Sequence, residues 1–246
     1  MGHPTISIWD RRPKITNPVG GEIPLGQPEI CNLDPKVKVV CWARSGSPKF
    51  YLPSLDGIPL DHWSRKFEYP WVMACGDFKS NELALDAAGG DAPLQTLIAA
   101  KAGAVINVDS DGKALERAKT NWTRPNIIRY EGDLLKTGFP DGMFHRVVCA
   151  SVLEHSQEPA LILYRLWRML IPGGRLLLTF DVASYARWNH TIDLAKASEL
   201  VKFFGLTVPE KPSDILVARF PEIERKQGDP EFVELNVLCL AVDKEG

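Results

Sequence analysis

Three aspartates stand at the ends of short apolar runs. Asp86 follows Leu83-Ala84-Leu85, Asp109 follows Val105 to Val108, and Asp133 follows Ile127 to Tyr130 with Glu131-Gly132 between. An acid at Asp109 can accept hydrogen bonds from both hydroxyls of a ribose. One at Asp133 can accept a hydrogen bond from the amino group of an adenine. Asp86 opens the small-residue stretch Asp86-Ala87-Ala88-Gly89-Gly90. There a ligand can approach the backbone closely, and the helix that follows offers unpaired N–H groups. Taken singly, each acid is an ordinary cap or turn residue. Three of them in order, each one strand–helix unit apart, point to a nucleoside-containing cofactor.

The elements that must hold these acids are legible from periodicity. Leu94, Leu97, Ile98 and Lys101 follow the spacing of one helix face. A second helix runs through Ala114, Leu115 and Ala118. A third carries Leu163, Leu166, Trp167 and Leu170 and is expected to stop at Pro172-Gly173-Gly174. Val147 to Ala150 and Leu176 to Phe180 supply two further apolar runs, and residues 194–204 read as helix. Continuous apolar strands alternating with amphipathic helices imply a parallel sheet covered on both faces. Residues 215–220 and 232–242 read as strands with no helix between them, and so as an antiparallel hairpin at a sheet edge.

Composition limits the rest. The chain has 246 residues, 29 Lys+Arg against 31 Asp+Glu, and a formal charge of -2. That balance supplies no global attraction to phosphate backbones or anionic membranes, so neither a nucleic acid nor a membrane is expected as partner. The five cysteines form no C-x-x-C pair, which argues against a disulfide framework or a zinc site and for a reducing, cytoplasmic location. No signal-like h-region, membrane-length apolar stretch or myristoylation pattern is read. Nine of the 19 prolines fall in the first 60 residues, as do Trp9 and Trp42. Proline excludes long helix and central strand. Residues 1–60 are therefore expected to be an irregular extension packed on the core, with one short strand over 37–42, and residues 61–246 the main domain.

Residues 80–182 resemble a class I S-adenosylmethionine-dependent methyltransferase, the Rossmann-like methyltransferase family. The family's D-x-G-x-G-x motif is similar to Asp86-Ala87-Ala88-Gly89-Gly90-Asp91, its ribose acid to Asp109, and its adenine acid to Asp133 with Leu134 beside it. Its fourth-strand segment resembles Cys149-Ala150-Ser151-Val152-Leu153-Glu154-His155, and its L-x-P-G-G turn matches Leu170-Ile171-Pro172-Gly173-Gly174. The resemblance implies a seven-stranded, mostly parallel α/β sheet with an antiparallel C-terminal hairpin and helices on both faces. It implies S-adenosyl-L-methionine as cofactor, with S-adenosyl-L-homocysteine as product. It also implies a cofactor-binding set of Asp86, Ala88, Gly89, Gly90, Asp109, Ser110, Asp133, Leu134, Ala150 and Tyr69. The chain departs from the family at Ala88 and Ala92, where glycine is usual; alanine at 88 is compatible with a negative φ there.

Methyl transfer from a sulfonium is an in-line displacement, for which the protein mainly orients the partners and excludes water. An ionisable acceptor also needs a base. His155, just after the fourth strand, is the leading candidate; His190 and Asp181 follow. Arg65 and Tyr69 are placed to meet the cofactor's carboxylate, and Trp71 to wall its pocket. No Asn/Asp-Pro-Pro-Tyr/Phe string follows the fourth strand, which disfavours base amino groups of DNA. A small or medium-sized, glycan-like acceptor methylated on oxygen is the expectation. One alternative is a non-catalytic cofactor-binding protein, suggested by Ala88 and Ala92. Another is an NAD-dependent oxidoreductase, against which stand the missing G-x-G-x-x-G and Tyr-x-x-x-Lys patterns.

Overall fold

The computed structural model describes residues 64–183, 192–209, 227–228 and 232–245, and the backbone of Ile15–Thr16, Lys38–Trp42 and Val217–Arg219. His190 and most of the Pro-rich extension lie outside the described residues. The strands are β1 (Ile15–Thr16), β2 (Lys38–Trp42), β3 (Leu83–Ala87), β4 (Ala104–Asp109), β5 (Ile127–Glu131), β6 (Phe144–Ala150), β7 (Leu170–Ala183), β8 (Val217–Arg219) and β9 (Phe232–Asp243). The helices are α1 (Arg65–Gly76), α2 (Leu94–Ala99), α3 (Gly112–Asn121), α4 (Pro159–Met169) and α5 (Leu194–Lys202).

The sheet order is β1-β8-β9-β7-β6-β3-β4-β5, with β2 also paired to β9. Strands β3 to β7 are parallel, and β9 is antiparallel to β7. Alternate residues of the strands feed two apolar layers. Leu85, Val147, Cys149, Leu176 and Leu178 pack with α4 and α5. Ala84, Val105, Val148 and Leu177 pack with α1 and α2. Both faces are covered, which is why these strands read as unbroken apolar runs rather than alternating ones. No helix among the described residues is long and apolar enough to cross a membrane.

The expected seven-stranded sheet is corrected. Six strands, β3 to β7 and β9, make the core of a nine-stranded sheet. The place expected for a seventh is divided. β9 has 12 residues, and β8 covers only its first part, Phe232 to Glu234. β2 pairs with Leu238 to Val242, filling the remainder of that edge. A second correction concerns Pro172-Gly173-Gly174. Helix α4 ends at Met169, and the tripeptide lies inside β7. Gly173 has φ 77°, a left-handed conformation suited to glycine, and exchanges strand-like bonds with Lys244 together with Gly174, each at 2.8 Å.

Local chemistry sets the helix starts. Asp111 accepts from the backbone N–H of Lys113 and Ala114 at the start of α3, and Asp193 does the same for Lys196 at α5. Helix α1 was not evident from periodicity and contains Pro70. It is held from outside at its C-terminus. Arg146 Nε donates to the Gly76 carbonyl at 2.7 Å and Arg175 Nη1 to that of Cys75 at 2.6 Å. The two arginines are register partners on β6 and β7 and are themselves paired with Glu82 and Asp243. Cations at a helix C-terminus also complement its dipole.

Candidate functional site

The C-terminal ends of the parallel strands gather the acids. Asp86, on β3, is 1% exposed, and its Oδ2 has no hydrogen-bond partner among the described residues. Neighbouring Asn107 is fully buried on β4. Its Nδ2 donates to the Gly90 carbonyl at 2.9 Å, while its Oδ1 has no such partner. Both oxygens crowd Gly89: a Cβ there would lie 2.3 Å from Asp86 Oδ2 and 2.8 Å from Asn107 Oδ1. Position 89 therefore tolerates only glycine without a shift of the loop. Burial, then the charge of Asp109, push the Asp86 carboxyl up to about 7, against a smaller opposing pull from Arg65.

The rest of the loop is tied down. Gln95 Nε2 donates to the Ala92 carbonyl at 2.9 Å. Asp91 receives Arg117 Nε on its carboxylate and Trp122 Nε1 on its carbonyl, each at 2.6 Å. Gly90 has φ 51° and Ala88 has φ 52°. The compatibility expected for alanine through a negative φ is thus corrected. Ala88 sits in the left-handed region, at a cost of roughly 1–2 kcal/mol for a residue with a Cβ. The ties through Asn107, Gln95 and Asp91 over-determine the loop and hold that strain in place.

Asp109, at the end of β4, is buried. Burial raises its carboxyl, and the backbone amides of Asp111 and Gly90 partly offset this. Its Oδ1 accepts from Asp111 N–H at 2.8 Å. Ser110 beside it is exposed. Asp133 is exposed and held low by the Leu135 N–H and by Lys136. Leu134 is buried in the core layer beneath it.

The fourth strand end completes the rim. Ala150 is half-buried, and Ser151 takes φ 53°, a second strained non-glycine residue. A short 3-10 turn, Leu153–His155, places His155 half-buried beyond it, while Glu154 is buried and its Oε1 accepts from Asp181 N–H at 3.3 Å. Cys149 lies fully buried beneath; burial, Glu154 and Asp86 push its thiol well up, so it is no nucleophile.

The N-terminal end of helix α1 meets these ends. Tyr69 and Trp71 are buried in the core layer under β7 and β9, and the Arg65 guanidinium sits 5.4 Å from the Tyr69 ring centre. Between them, Glu68 is fully buried. Its Oε2 accepts from Ser64 Oγ and Arg65 Nη1, each at 2.6 Å. Its Oε1 accepts from Ser151 Oγ at 2.6 Å and Thr179 Oγ1 at 2.5 Å. Burial alone would raise this carboxyl, but Arg65 and the three hydroxyls hold it well below the usual carboxylate range. Glu68 and Asn107 were missed in the sequence. Asn107 carries a detectable signal, a polar residue inside the apolar run Ala104–Asp109; Glu68 carries none beyond its place between two aromatics.

Asp86 and Asp109 therefore stand at the ends of adjacent strands β3 and β4 and Asp133 just past the end of the next, β5, while Ala150 ends β6 on the other side of β3 and His155 lies in the turn after it. Residues 85–178 match the methyltransferase domain family. An uncharacterized methyltransferase of Mycobacterium tuberculosis is 28% identical over 123 residues, 50% of this chain and 62% of its own length. The chain thus spans about three-fifths of the curated relatives of that group. A Mycolicibacterium smegmatis protein named as an S-adenosylmethionine-dependent methyltransferase is 26% identical over 205 residues, 74% of this chain and 78% of that one. Among solved structures, YcgJ of Bacillus subtilis superposes with a TM-score of 0.58 at 14% identity, covering 73% of this chain and 98% of that chain. That likeness speaks for the fold alone.

Proposed function

We propose that this chain, whose residues 85–178 match the methyltransferase domain family, is a class I S-adenosylmethionine-dependent methyltransferase that methylates a small or medium-sized acceptor, on oxygen. The observation that carries this reading is the row of Asp86, Asp109 and Asp133 at or just past the ends of adjacent parallel strands. The near-neutral charge supports a small or glycan-like acceptor over a polynucleotide. The residues fit the cofactor. Buried acceptors without a donor are rare in proteins and signal a missing polar partner, and Asp86 Oδ2 and Asn107 Oδ1 are two of them under the glycine loop.

In this reading the Ala88–Gly90 backbone lies against the cofactor, Asp109 accepts from the ribose hydroxyls, and Asp133 with Ser110 and Leu134 holds the adenine. Ala150 lines the methionine part, whereas Tyr69, expected there from the sequence, is 1% exposed and packs in the core under β7 and β9. When bound, S-adenosylmethionine supplies a methyl group on a sulfonium already activated for displacement. The protein's task is alignment and exclusion of water, with His155 taking the proton from an acceptor hydroxyl.

Isothermal titration of the folded chain with S-adenosylhomocysteine is the direct test, and absence of binding overturns the reading. The left-handed Ala88 favours a second reading, a cofactor-binding protein without catalysis. Transfer of radiolabelled methyl from the cofactor into any cell-extract component rejects that alternative.

A further inference from the structure

We propose that Glu68 is a positioning residue for this site: its buried carboxylate sets the Arg65 guanidinium and the left-handed turn at Ser151 where the methionine end of S-adenosylmethionine binds. The inference rests on the methyltransferase reading above. The direction of the cofactor along the sheet follows from the acids. An adenine at Asp133 lies over β5 and a ribose at Asp109 over β4, so the remainder of the molecule extends past β3 towards β6 and β7. Those are the strands whose ends Glu68 joins, through Ser151 just after β6 and Thr179 on β7.

Three observations separate this role from simple anchoring of α1. First, α1 is already fastened at its other end by Arg146 and Arg175, which cap the carbonyls of Cys75, Gly76 and Asp77. Second, a buried ion pair is a poor stabilising device compared with apolar packing of the same volume, so its presence calls for another use. Third, Ser151 holds φ 53° beside Ala150. Strain of that kind persists only where neighbours over-determine it, and the Glu68 bond to Ser151 Oγ is such a constraint. The same carboxylate holds Arg65 in a field that Asp86 and Asp181 share. A guanidinium so held places a fixed, buried cation beneath a rim otherwise rich in carboxylates.

The test measures S-adenosylhomocysteine affinity by calorimetry and melting temperature by circular dichroism, on the full chain and five variants. Glu68→Gln keeps the size and loses the charge. It is expected to remain folded at 20 °C and to bind at least about ten-fold more weakly, the scale of a lost hydrogen bond to a charged group. Ser151→Ala is expected to bind about three-fold or more weakly. The double variant should be no weaker than Glu68→Gln, because both changes break one contact. Arg175→Gln, at the opposite end of the sheet, is expected to lower the melting temperature at least as far while leaving affinity within two-fold.

A folded Glu68→Gln chain that binds within two-fold of wild type overturns the inference. So does an Arg175→Gln chain that loses as much affinity, since the effect is then general loosening of α1. If Glu68→Gln does not fold, Ser151→Ala and Thr179→Val decide, and wild-type affinity in both overturns it. A wild-type chain that binds no S-adenosylhomocysteine overturns the methyltransferase reading and this inference with it, whereas binding that survives Glu68→Gln overturns this inference alone.

Discussion

The two ends of the parallel strands are built on opposite terms. At the N-terminal end, polar groups are matched. Arg175 spans Asp243 and the Cys75 carbonyl, Arg146 spans Glu82 and the carbonyls of Gly76 and Asp77, and His145 Nδ1 accepts from Leu83 N–H. At the C-terminal end, two non-glycine residues sit at positive φ, buried oxygens of Asp86 and Asn107 lack donors, and Asp86 is driven up to about 7. Same sheet, same layers of core, yet one rim has its polar groups paired, with a left-handed Asp77 (φ 44°) capping α1, and the other is electrostatically frustrated. Natural proteins accept such deficits at binding sites, because a ligand can relieve them. The contrast locates the site independently of any motif.

The contrast can be broken most forcefully at the satisfied rim. Arg175→Ala removes the Arg175 ion pair from Asp243 and uncaps one helix carbonyl. Denaturant unfolding should show a loss of roughly 3–5 kcal/mol, with unchanged cofactor affinity in the fraction that folds. At the strained rim the order reverses. Asp109→Ala should cost about 1.5–3 kcal/mol of S-adenosylhomocysteine affinity, read by calorimetry, with little change in melting temperature. Unchanged affinity removes Asp109 from the ribose site.

Asp86→Asn sharpens the contrast further. The Asp86 carboxyl is raised on folding from the 3.8 of an ordinary aspartate to about 7, so the native state holds a proton that the unfolded chain releases. The stability this group contributes is complete below about pH 4 and is lost as pH rises to 7. The asparagine variant should therefore be more stable than wild type at pH 8, by about 2 kcal/mol after allowing for relaxation of the site, and lose that advantage at pH 4. Its cofactor affinity should fall. A stability gain that does not vary with pH refutes the assignment. The smallest expected effect is at Ala88→Gly, where relief of the left-handed strain offsets the extra freedom of glycine in the unfolded chain. A net gain of about 0.5–1 kcal/mol in thermal unfolding is expected.

Legibility in the sequence followed the range of the interaction. Strands β3, β4 and β6 and helices α3 and α4 announced themselves, because burial on two faces or one stripe writes a period into the run of residues that forms them. The glycine loop and its acids were visible for the same reason, being punctuation at the ends of those runs. Helix α1 was not. Pro70 argues against helix locally, and what holds α1 is Arg146 and Arg175, some 70 and 100 residues away. The division of the β9 edge between β2 and β8 was equally hidden, since it depends on which short segments reach one long strand.

The residues alone determined the strand–helix alternation, the order of the three acids along it and the class of cofactor they suit. Only the tertiary structure decided that Ala88 would be left-handed, that Asp86 and Asn107 would press on Gly89, and that Glu68 would meet Ser151 and Thr179 across separations of 83 and 111 residues. Periodicity records which face of an element is buried. It carries no record of which distant polar groups share that burial, and in a low-dielectric interior their pairing sets charge, strain and the shape of the site.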